Sequence, residues 1–247
     1  MDTALQANSK ETNFLFSLSG IKYLLTHPHQ LKWVITREIH FGGRKKSKRK
    51  WVEWQKYDAN MHIMMMEQHP ELLSVNTLNV DRIKIFNDMV NGIGVDLQIL
   101  DVGCGDGVIS QPLIKMGHFV AAVDLPTVAT SSHKCNVSSI MAGDAETLAF
   151  ADATFDVIIA SEVLEHMWMP ESFINEAYRT LKPHGSLIIE TPEGMMGLNY
   201  DSHMNFYTVE KLEKMLAPRF ASKRIERLAQ TGSAQTPTII MLFEKAD

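Results

Sequence analysis

The stretch ILDVGCGDG, residues 99–107, decides the fold of this chain. Its first four residues have the apolar pattern of a buried strand, and a helix-length segment follows over 107–117. Glycines at 103, 105 and 107 stand where the backbone must turn sharply and approach a ligand closely. The stretch therefore predicts a strand, a tight glycine-rich turn and a helix.

Short apolar runs alternate with helix-length segments along the rest of the chain. Strands are predicted at 99–102, 119–123, 140–142, 155–160 and 186–190, and helices at 107–117, 126–134, 171–181 and 208–217. Two further strands, 219–228 and 236–244, form a predicted C-terminal hairpin. This alternation predicts an α/β fold, doubly wound, with a mostly parallel seven-stranded sheet and an antiparallel hairpin at its end.

The first part of the chain differs from the rest in pattern and in charge. Residues 1–60 hold 11 Lys and Arg against 5 Asp and Glu, a balance of +6, and the remaining residues balance at −11, which together give the net charge of −5. Six of the seven residues at 44–50 are basic. We predict a helical extension over 1–90, acting as a lid over the substrate, ahead of a ligand-binding domain over 91–247.

A second acidic residue belongs with the glycine-rich turn. Asp124 ends the next predicted strand, 21 residues after Gly103, where a carboxylate can accept hydrogen bonds from both hydroxyls of a ribose. The dinucleotide pattern G-x-G-x-x-G is not met, because Val108 stands at its last position. No lysine occurs between 99 and 114 to neutralise a phosphate. The glycine-rich turn and Asp124 together therefore favour a ligand that contains a ribose.

These motifs resemble those of the class I S-adenosylmethionine-dependent methyltransferases over about 91–247. Residues 99–107 are similar to the first motif of that family, 142–150 to its adenine-binding segment, and 154–160 and 181–187 to its fourth and fifth strands. The resemblance implies S-adenosylmethionine as cofactor. It implies cofactor contacts from Asp101, Gly103, Cys104, Gly105, Asp124, Leu125, Asp144, Ala145 and Ser161. For Asp144, the cap of a turn or helix is the competing interpretation.

The segment after the fourth strand, SEVLEH at 161–166, carries the candidate acceptor chemistry. In a helical turn, Glu162, Glu165 and His166 would share one face, at positions i, i+3 and i+4. His203 lies in the loop after the fifth strand, which ends at the same edge of the sheet. We therefore expect two carboxylates and two imidazoles near the cofactor.

This E-x-x-E-H pattern with a downstream histidine resembles the ubiquinone-biosynthesis O-methyltransferases and the small-RNA 3′-terminal 2′-O-methyltransferases. The resemblance implies a divalent cation such as Mg²⁺ held by Glu162, Glu165, His166 and His203. Three alternatives stay open: the run only orients helices, Ser161 and Glu162 contact the cofactor, or His166 acts as a base, with Glu165 and His203 completing the catalytic set.

The leading hypothesis is an enzyme that transfers a methyl group from S-adenosylmethionine to an oxygen, or a nitrogen, of a small or medium-sized molecule. Alternatives are an RNA methyltransferase that uses residues 44–50 and a regulatory protein that binds the cofactor without catalysis. Two cysteines cannot form a disulfide framework, and neither a secretory signal nor a membrane span is evident, so a cytoplasmic location is expected. The acceptor and the oligomeric state stay open.

Overall fold

The structure is a computed structural model and describes residues 55, 77–129, 137–194, 203–228 and 237–247. Most of the predicted extension, including the basic residues 44–50, lies outside the described residues. The described elements begin with helix α1 (Thr77–Ile93), which crosses the boundary placed at residue 90. The division into an extension and a domain stays a prediction.

From residue 77 onward, the described part of the chain contains seven strands and five helices in the predicted alternation. After α1 come β1 (Gln98–Val102), α2 (Ser110–Lys115), β2 (Phe119–Asp124), α3 (Pro126–Ala129), β3 (Ser139–Ala142), β4 (Phe155–Ser161), a 3₁₀ turn (Leu164–His166), α4 (Pro170–Thr180), β5 (Leu181–Pro192), α5 (Val209–Leu216), β6 (Phe220–Leu228) and β7 (Thr238–Lys245). Strand β5 begins earlier than predicted, because Leu181 already pairs with Phe155 of β4.

The strands form one sheet in the order β3-β2-β1-β4-β5-β7-β6. Pairs among β1 to β5 are parallel, whereas β7 lies antiparallel between β5 and β6. The doubly wound, mostly parallel sheet and its antiparallel hairpin are thus confirmed. The chain leaves β1 in one direction through β2 and β3 and returns to β4 on the other side of β1. Ligands of open α/β sheets bind at such a point of reversal, beyond the carboxyl ends of the strands.

Buried side chains alternate between the two faces of the sheet, as the twofold period of a strand requires. Leu100 and Ile158 face a core that includes residues of α4 and α5, whereas Ile99 and Val157 face one that includes Phe86 of α1. Because helices cover both faces, the parallel strands read as continuous apolar runs. Among the described residues, no helix is long and apolar enough to cross a membrane.

Candidate functional site

The glycine-rich turn after β1 requires glycine for two separate reasons. Gly103, Gly105 and Gly107 have positive φ angles of 70°, 50° and 82°, which favour a residue without a Cβ atom. At Gly103 a Cβ atom would also lie 2.4 Å from Cγ2 of Val163, on the segment after β4. The turn therefore packs directly against the segment that carries the predicted acceptor residues.

Asp124 and the glycine-rich turn are joined by a hydrogen bond. The Gly105 backbone N–H donates to Oδ2 of Asp124 over 2.8 Å, and the Leu125 N–H donates to Oδ1 over 2.6 Å. Each carboxylate oxygen can accept a second hydrogen bond, so Asp124 can hold the turn and still receive hydroxyl donors from a ligand. The structure thus brings together the two features on which the sequence hypothesis depends.

Asp101 lies deeper than a ligand-contacting carboxylate usually does. It is 2% exposed, and its carboxylate accepts a hydrogen bond from the Ser110 hydroxyl at the start of α2. Burial raises the pKa of Asp101 to about 6, although Ser110 opposes this rise and the nearby Asp124 adds to it. Asp101 therefore links β1 to α2 at the base of the turn.

We expect the Asp101→Asn variant to gain stability relative to the wild type as pH rises from 4 to 7. The pKa of Asp101 is higher in the folded state than in the unfolded chain, so the folded state binds its proton more tightly. Stability from this group is complete below pH 4 and is lost as pH rises through about 6, by roughly 3 kcal/mol. Thermal unfolding at several pH values measures the difference.

Asp156 provides the matched control for this titration. Burial would raise the pKa of Asp156, but hydrogen bonds from Lys182 and the Gln98 N–H outweigh it, and the pKa lies below its usual value. The Asp156→Asn variant should therefore show a constant difference from the wild type between pH 5 and 7. A constant difference for Asp101→Asn over the same range would contradict the raised pKa.

The remaining predicted cofactor residues surround the same edge of the sheet. Asp144 follows β3, and its Oδ1 accepts the Glu146 N–H over 2.9 Å, which is the turn-capping geometry considered as the alternative. Ala145 packs against the core and Leu125 is half-buried. Cys104 is buried. Their contacts with a cofactor stay predictions.

The prediction that Glu162 shares one face of a helical turn with Glu165 and His166 is wrong. Ser161 is the last residue of β4, Glu162 has a φ of 57°, and the 3₁₀ turn begins only at Leu164. The Glu162 N–H still donates to the Glu190 carbonyl of β5 over 3.0 Å, and the left-handed φ of Glu162 then turns the chain away from the strand. Glu162 therefore does not stand one helical turn below Glu165 and His166.

The structure brings three of the predicted acceptor residues into one cluster, namely Glu165, His166 and His203. Each offers one ligand atom, and these atoms lie within 4.8 Å of one another. The two imidazole rings meet edge to face, with ring centroids 4.6 Å apart. Glu165 and His203 are buried and His166 is half-buried. The histidine predicted from the loop after β5 thus reaches the turn after β4, and in the described part of the chain Glu162 stands outside this cluster.

Burial raises the pKa of both carboxyl groups on this segment. For Glu165, the nearby Glu190 adds to the effect of burial, while the Thr191 hydroxyl, which donates to Oε2 over 3.1 Å, opposes it. For Glu162, Glu165 and Glu190 raise the pKa further, against the opposing charge of Arg82. Two buried carboxyl groups with raised pKa values therefore lie at the carboxyl ends of the strands, where each favours either a proton or a bound cation.

Arg82 and Glu190 belong to this edge and were not predicted from the sequence. The Arg82 guanidinium donates to Oε2 of Glu190 over 2.7 Å and to the Ser161 hydroxyl over 2.8 Å, and Ser161 in turn donates to Glu190. Glu190 is 1% exposed, so its charge requires a partner. The only sequence signal was an acidic residue at the end of the apolar fifth strand.

Residues 100–189 match a family model described as a methyltransferase domain. This match runs from within β1 to within β5, and it includes the glycine-rich turn, Asp124, Glu165 and His166, whereas His203 lies outside it. The matched region is therefore similar to a methyltransferase domain, which agrees with the resemblance of its motifs to the class I S-adenosylmethionine-dependent methyltransferases.

Among curated proteins, the chain is similar to ubiquinone biosynthesis O-methyltransferases. The protein of Parvibaculum lavamentivorans is 34% identical over 107 residues, covering 39% of this chain and 40% of the relative. The protein of Azorhizobium caulinodans is 38% identical over 101 residues, covering 38% and 40%. The mitochondrial protein of Rattus norvegicus is 30% identical over 149 residues, covering 49% and 43%. These alignments span about two fifths of each relative.

Solved structures share the fold at low sequence identity. The 1,6-didemethyltoxoflavin-N1-methyltransferase of Burkholderia thailandensis, solved with 1,6-didemethyltoxoflavin and S-adenosylhomocysteine, has a TM-score of 0.62 at 18% identity and covers 79% of this chain and 90% of its own. The N-methyltransferase NodS of Bradyrhizobium japonicum, solved with S-adenosylhomocysteine, has a TM-score of 0.59 at 19% identity and covers 71% and 91%.

Proposed function

We propose that this chain transfers a methyl group from S-adenosylmethionine to an oxygen of a small or medium-sized molecule. The observation that carries the proposal is the packing of the glycine-rich turn against Val163, next to the cluster of Glu165, His166 and His203. A cofactor on the turn would thus lie beside buried groups able to accept a proton. The similarity to ubiquinone biosynthesis O-methyltransferases favours oxygen over nitrogen.

The cofactor side of the site consists of the turn and the strand ends beside it. Gly103 and Gly105 would admit the methionine part through close backbone approach, and Asp124 would accept the ribose hydroxyls. Asp144 and the Ala145 N–H would contact the adenine edge, and Leu125 its face. Arg82 carries a positive charge beside the turn and would form an ion pair with the carboxylate of the cofactor. Asp101, being buried, would act by holding the turn rather than by touching the ligand.

On the acceptor side, His166 would accept the hydroxyl proton, with Glu165 and His203 orienting and stabilising the imidazole. Methyl transfer to an activated carbon requires mainly that the acceptor oxygen is held opposite the leaving sulfur. The predicted extension would cover this site and exclude water. Gln55, the described residue of that extension ahead of α1, donates to the His166 carbonyl over 3.4 Å and supports such a lid.

A divalent cation fits the same cluster. Glu165 Oε1 is buried and has no hydrogen-bond partner among the described residues, and it belongs to a group of one carboxylate and two imidazoles. Two nitrogen donors suit a transition metal such as Zn²⁺ or Mn²⁺ better than the Mg²⁺ expected from the sequence. Glu165, His166 and His203 would hold the ion, which when bound would lower the pKa of an acceptor hydroxyl.

We also propose a cytoplasmic location for this chain. Two cysteines, Cys104 and Cys135, are too few for a disulfide framework, which agrees with a reducing compartment. Relatives from Rattus norvegicus and Bos taurus are named as mitochondrial, so fractionation of the native cells would decide.

A methyl-transfer screen tests the proposed function. The protein is incubated with S-adenosylmethionine labelled on its methyl group and with phenols, catechols, sugars, amines and RNA in parallel. We expect label in a small hydroxylated acceptor, and about 100-fold less with His166→Gln, the loss typical of a missing general base. Label only in RNA or amines, or no label at all, would contradict the proposal. Each reaction is repeated with EDTA and with added Zn²⁺, Mn²⁺ or Mg²⁺, and full activity in EDTA would exclude the cation.

A further inference from the structure

The 3₁₀ turn Leu164–His166 holds the acceptor cluster but is too short to satisfy its own backbone. A single helical turn leaves most of its carbonyl groups without partners inside the turn. Here the Met167 N–H donates a hydrogen bond to the Leu164 carbonyl over 3.3 Å. The His166 N–H also donates locally, to the Val163 carbonyl over 3.0 Å. In the part of the chain that the structure describes, the other donors to carbonyl groups of this turn come from residues distant in sequence, so these segments help to decide its geometry.

One such segment is 203–207, which follows β5. The backbone N–H groups of Met204 and Asn205 both donate to the Glu165 carbonyl, over 2.6 and 3.0 Å. The Tyr207 hydroxyl donates to the Leu164 carbonyl over 3.3 Å. His203 stands at the head of this segment, so the same contacts that fix the turn bring His203 against His166.

The Asn205 side chain completes this attachment with both of its N–H groups. Its Nδ2 atom donates to the Leu164 carbonyl over 3.0 Å and to the Met167 carbonyl over 2.8 Å. It therefore bridges the two ends of the turn, one residue on each side of Glu165 and His166. Asn205 is 4% exposed, and neither an aspartate nor an aliphatic side chain can supply two donors there.

We propose that Asn205 is a positioning residue of the acceptor site, which it serves by fixing Glu165 and His166 against His203. The expected effect on the reaction rests on the proposed function, whereas the expected effect on the geometry of the turn does not. Displacement of a catalytic group by about 1 Å costs on the order of 100-fold in rate, so the loss of two bonds that define the turn should act mainly on kcat. Among the described residues, no hydrogen bond joins Asn205 to the glycine-rich turn. The affinity for S-adenosylmethionine should therefore be retained.

The test compares Asn205→Ala and Asn205→Gln with Thr180→Val. Thr180 is a matched control, because its buried hydroxyl also donates to a backbone carbonyl, that of Glu176, over 2.7 Å, but in α4. We expect Asn205→Ala to lower kcat about 100-fold with the acceptor from the screen, with Asn205→Gln partly restoring it. The affinity for S-adenosylmethionine should change less than about 2-fold, since Thr180→Val and Asn205→Ala both leave the cofactor contacts intact.

A spectroscopic measurement keeps the proposal testable without an acceptor. In protein labelled with ¹⁵N-histidine, the imidazole signals of His166 and His203 are assigned with His166→Gln and His203→Gln. We expect these signals, and the contact between the two rings, to change in Asn205→Ala and not in Thr180→Val. Unchanged signals, or a kcat equal to that of Thr180→Val, would overturn the role of Asn205. Failure of the wild type to bind S-adenosylmethionine would overturn the proposed function instead.

Discussion

The Gly103→Ala variant is expected to lose both stability and cofactor binding. A Cβ atom would lie 2.4 Å from Cγ2 of Val163, and the φ of 70° is unfavourable for alanine. Backbone strain of about 1–2 kcal/mol and overpacking of about 1–3 kcal/mol together give a loss of roughly 2–5 kcal/mol in the free energy of unfolding. Denaturant unfolding and calorimetric titration with S-adenosylmethionine measure the two effects, and we expect no measurable binding.

Two further variants separate the clash from the strain. Gly117 has a φ of 95°, and a Cβ atom added there would meet nothing within 4 Å, so Gly117→Ala measures strain alone at a place far from the turn. Adding Val163→Ala to Gly103→Ala removes the clash and should recover part of the stability. If Gly103→Ala is as stable as Gly117→Ala and binds the cofactor normally, the turn does not pack as described.

Replacing Asp124 by alanine is expected to weaken the binding of S-adenosylmethionine roughly 10- to 100-fold, the loss of about 1–3 kcal/mol of hydrogen bonding. The variant removes the acceptor of the Gly105 N–H and the proposed acceptor of the ribose hydroxyls together. Calorimetric titration measures the dissociation constant. Asp156→Ala is the matched control, since Asp156 also accepts a backbone N–H, that of Gln98, but at the opposite edge of the sheet.

A ligand lacking one hydroxyl distinguishes the two roles of Asp124. The wild type should bind S-adenosylhomocysteine more tightly than its 3′-deoxyribose analogue, whereas Asp124→Ala should bind the two about equally, because the hydroxyl has lost its acceptor. If both proteins discriminate equally, Asp124 holds the turn without touching the ribose. Equal affinity of wild type and Asp124→Ala for the cofactor would contradict both roles.

The elements around the cofactor turn were predictable because their signals are local. An apolar strand, closely spaced glycines and a helix specify the path of the backbone over 99–117. The alternation of strands and helices then places the strand ends at one edge, since parallel crossovers are short and of one hand. Asp124 is the last residue of β2 and therefore lies beside the turn. The hydrogen bond from Gly105 was not predicted, but it needs only these two neighbouring strand ends.

The acceptor side was predicted less well, because helical periodicity was applied to a segment that is not a helix. Glu162 accommodates a φ of 57° where the chain reverses after β4, and a sequence pattern does not show where such a reversal falls. The sequence placed His203 in the loop after the fifth strand, but its contact with His166 depends on the path of that loop. Arg82 and Glu190, 108 residues apart, carried no mutual signal.

The sequence by itself determined the class of fold and the glycine-rich turn, because strand periodicity and glycine conformations act between residues close in the chain. Only the tertiary structure decided which side chains meet at the acceptor edge. There Asn205 contacts the carbonyls of Leu164 and Met167, which lie 41 and 38 residues away in the chain, a contact that packing decides. Short-range preferences specify where the backbone turns, whereas contacts between distant segments require the whole sheet to be assembled first.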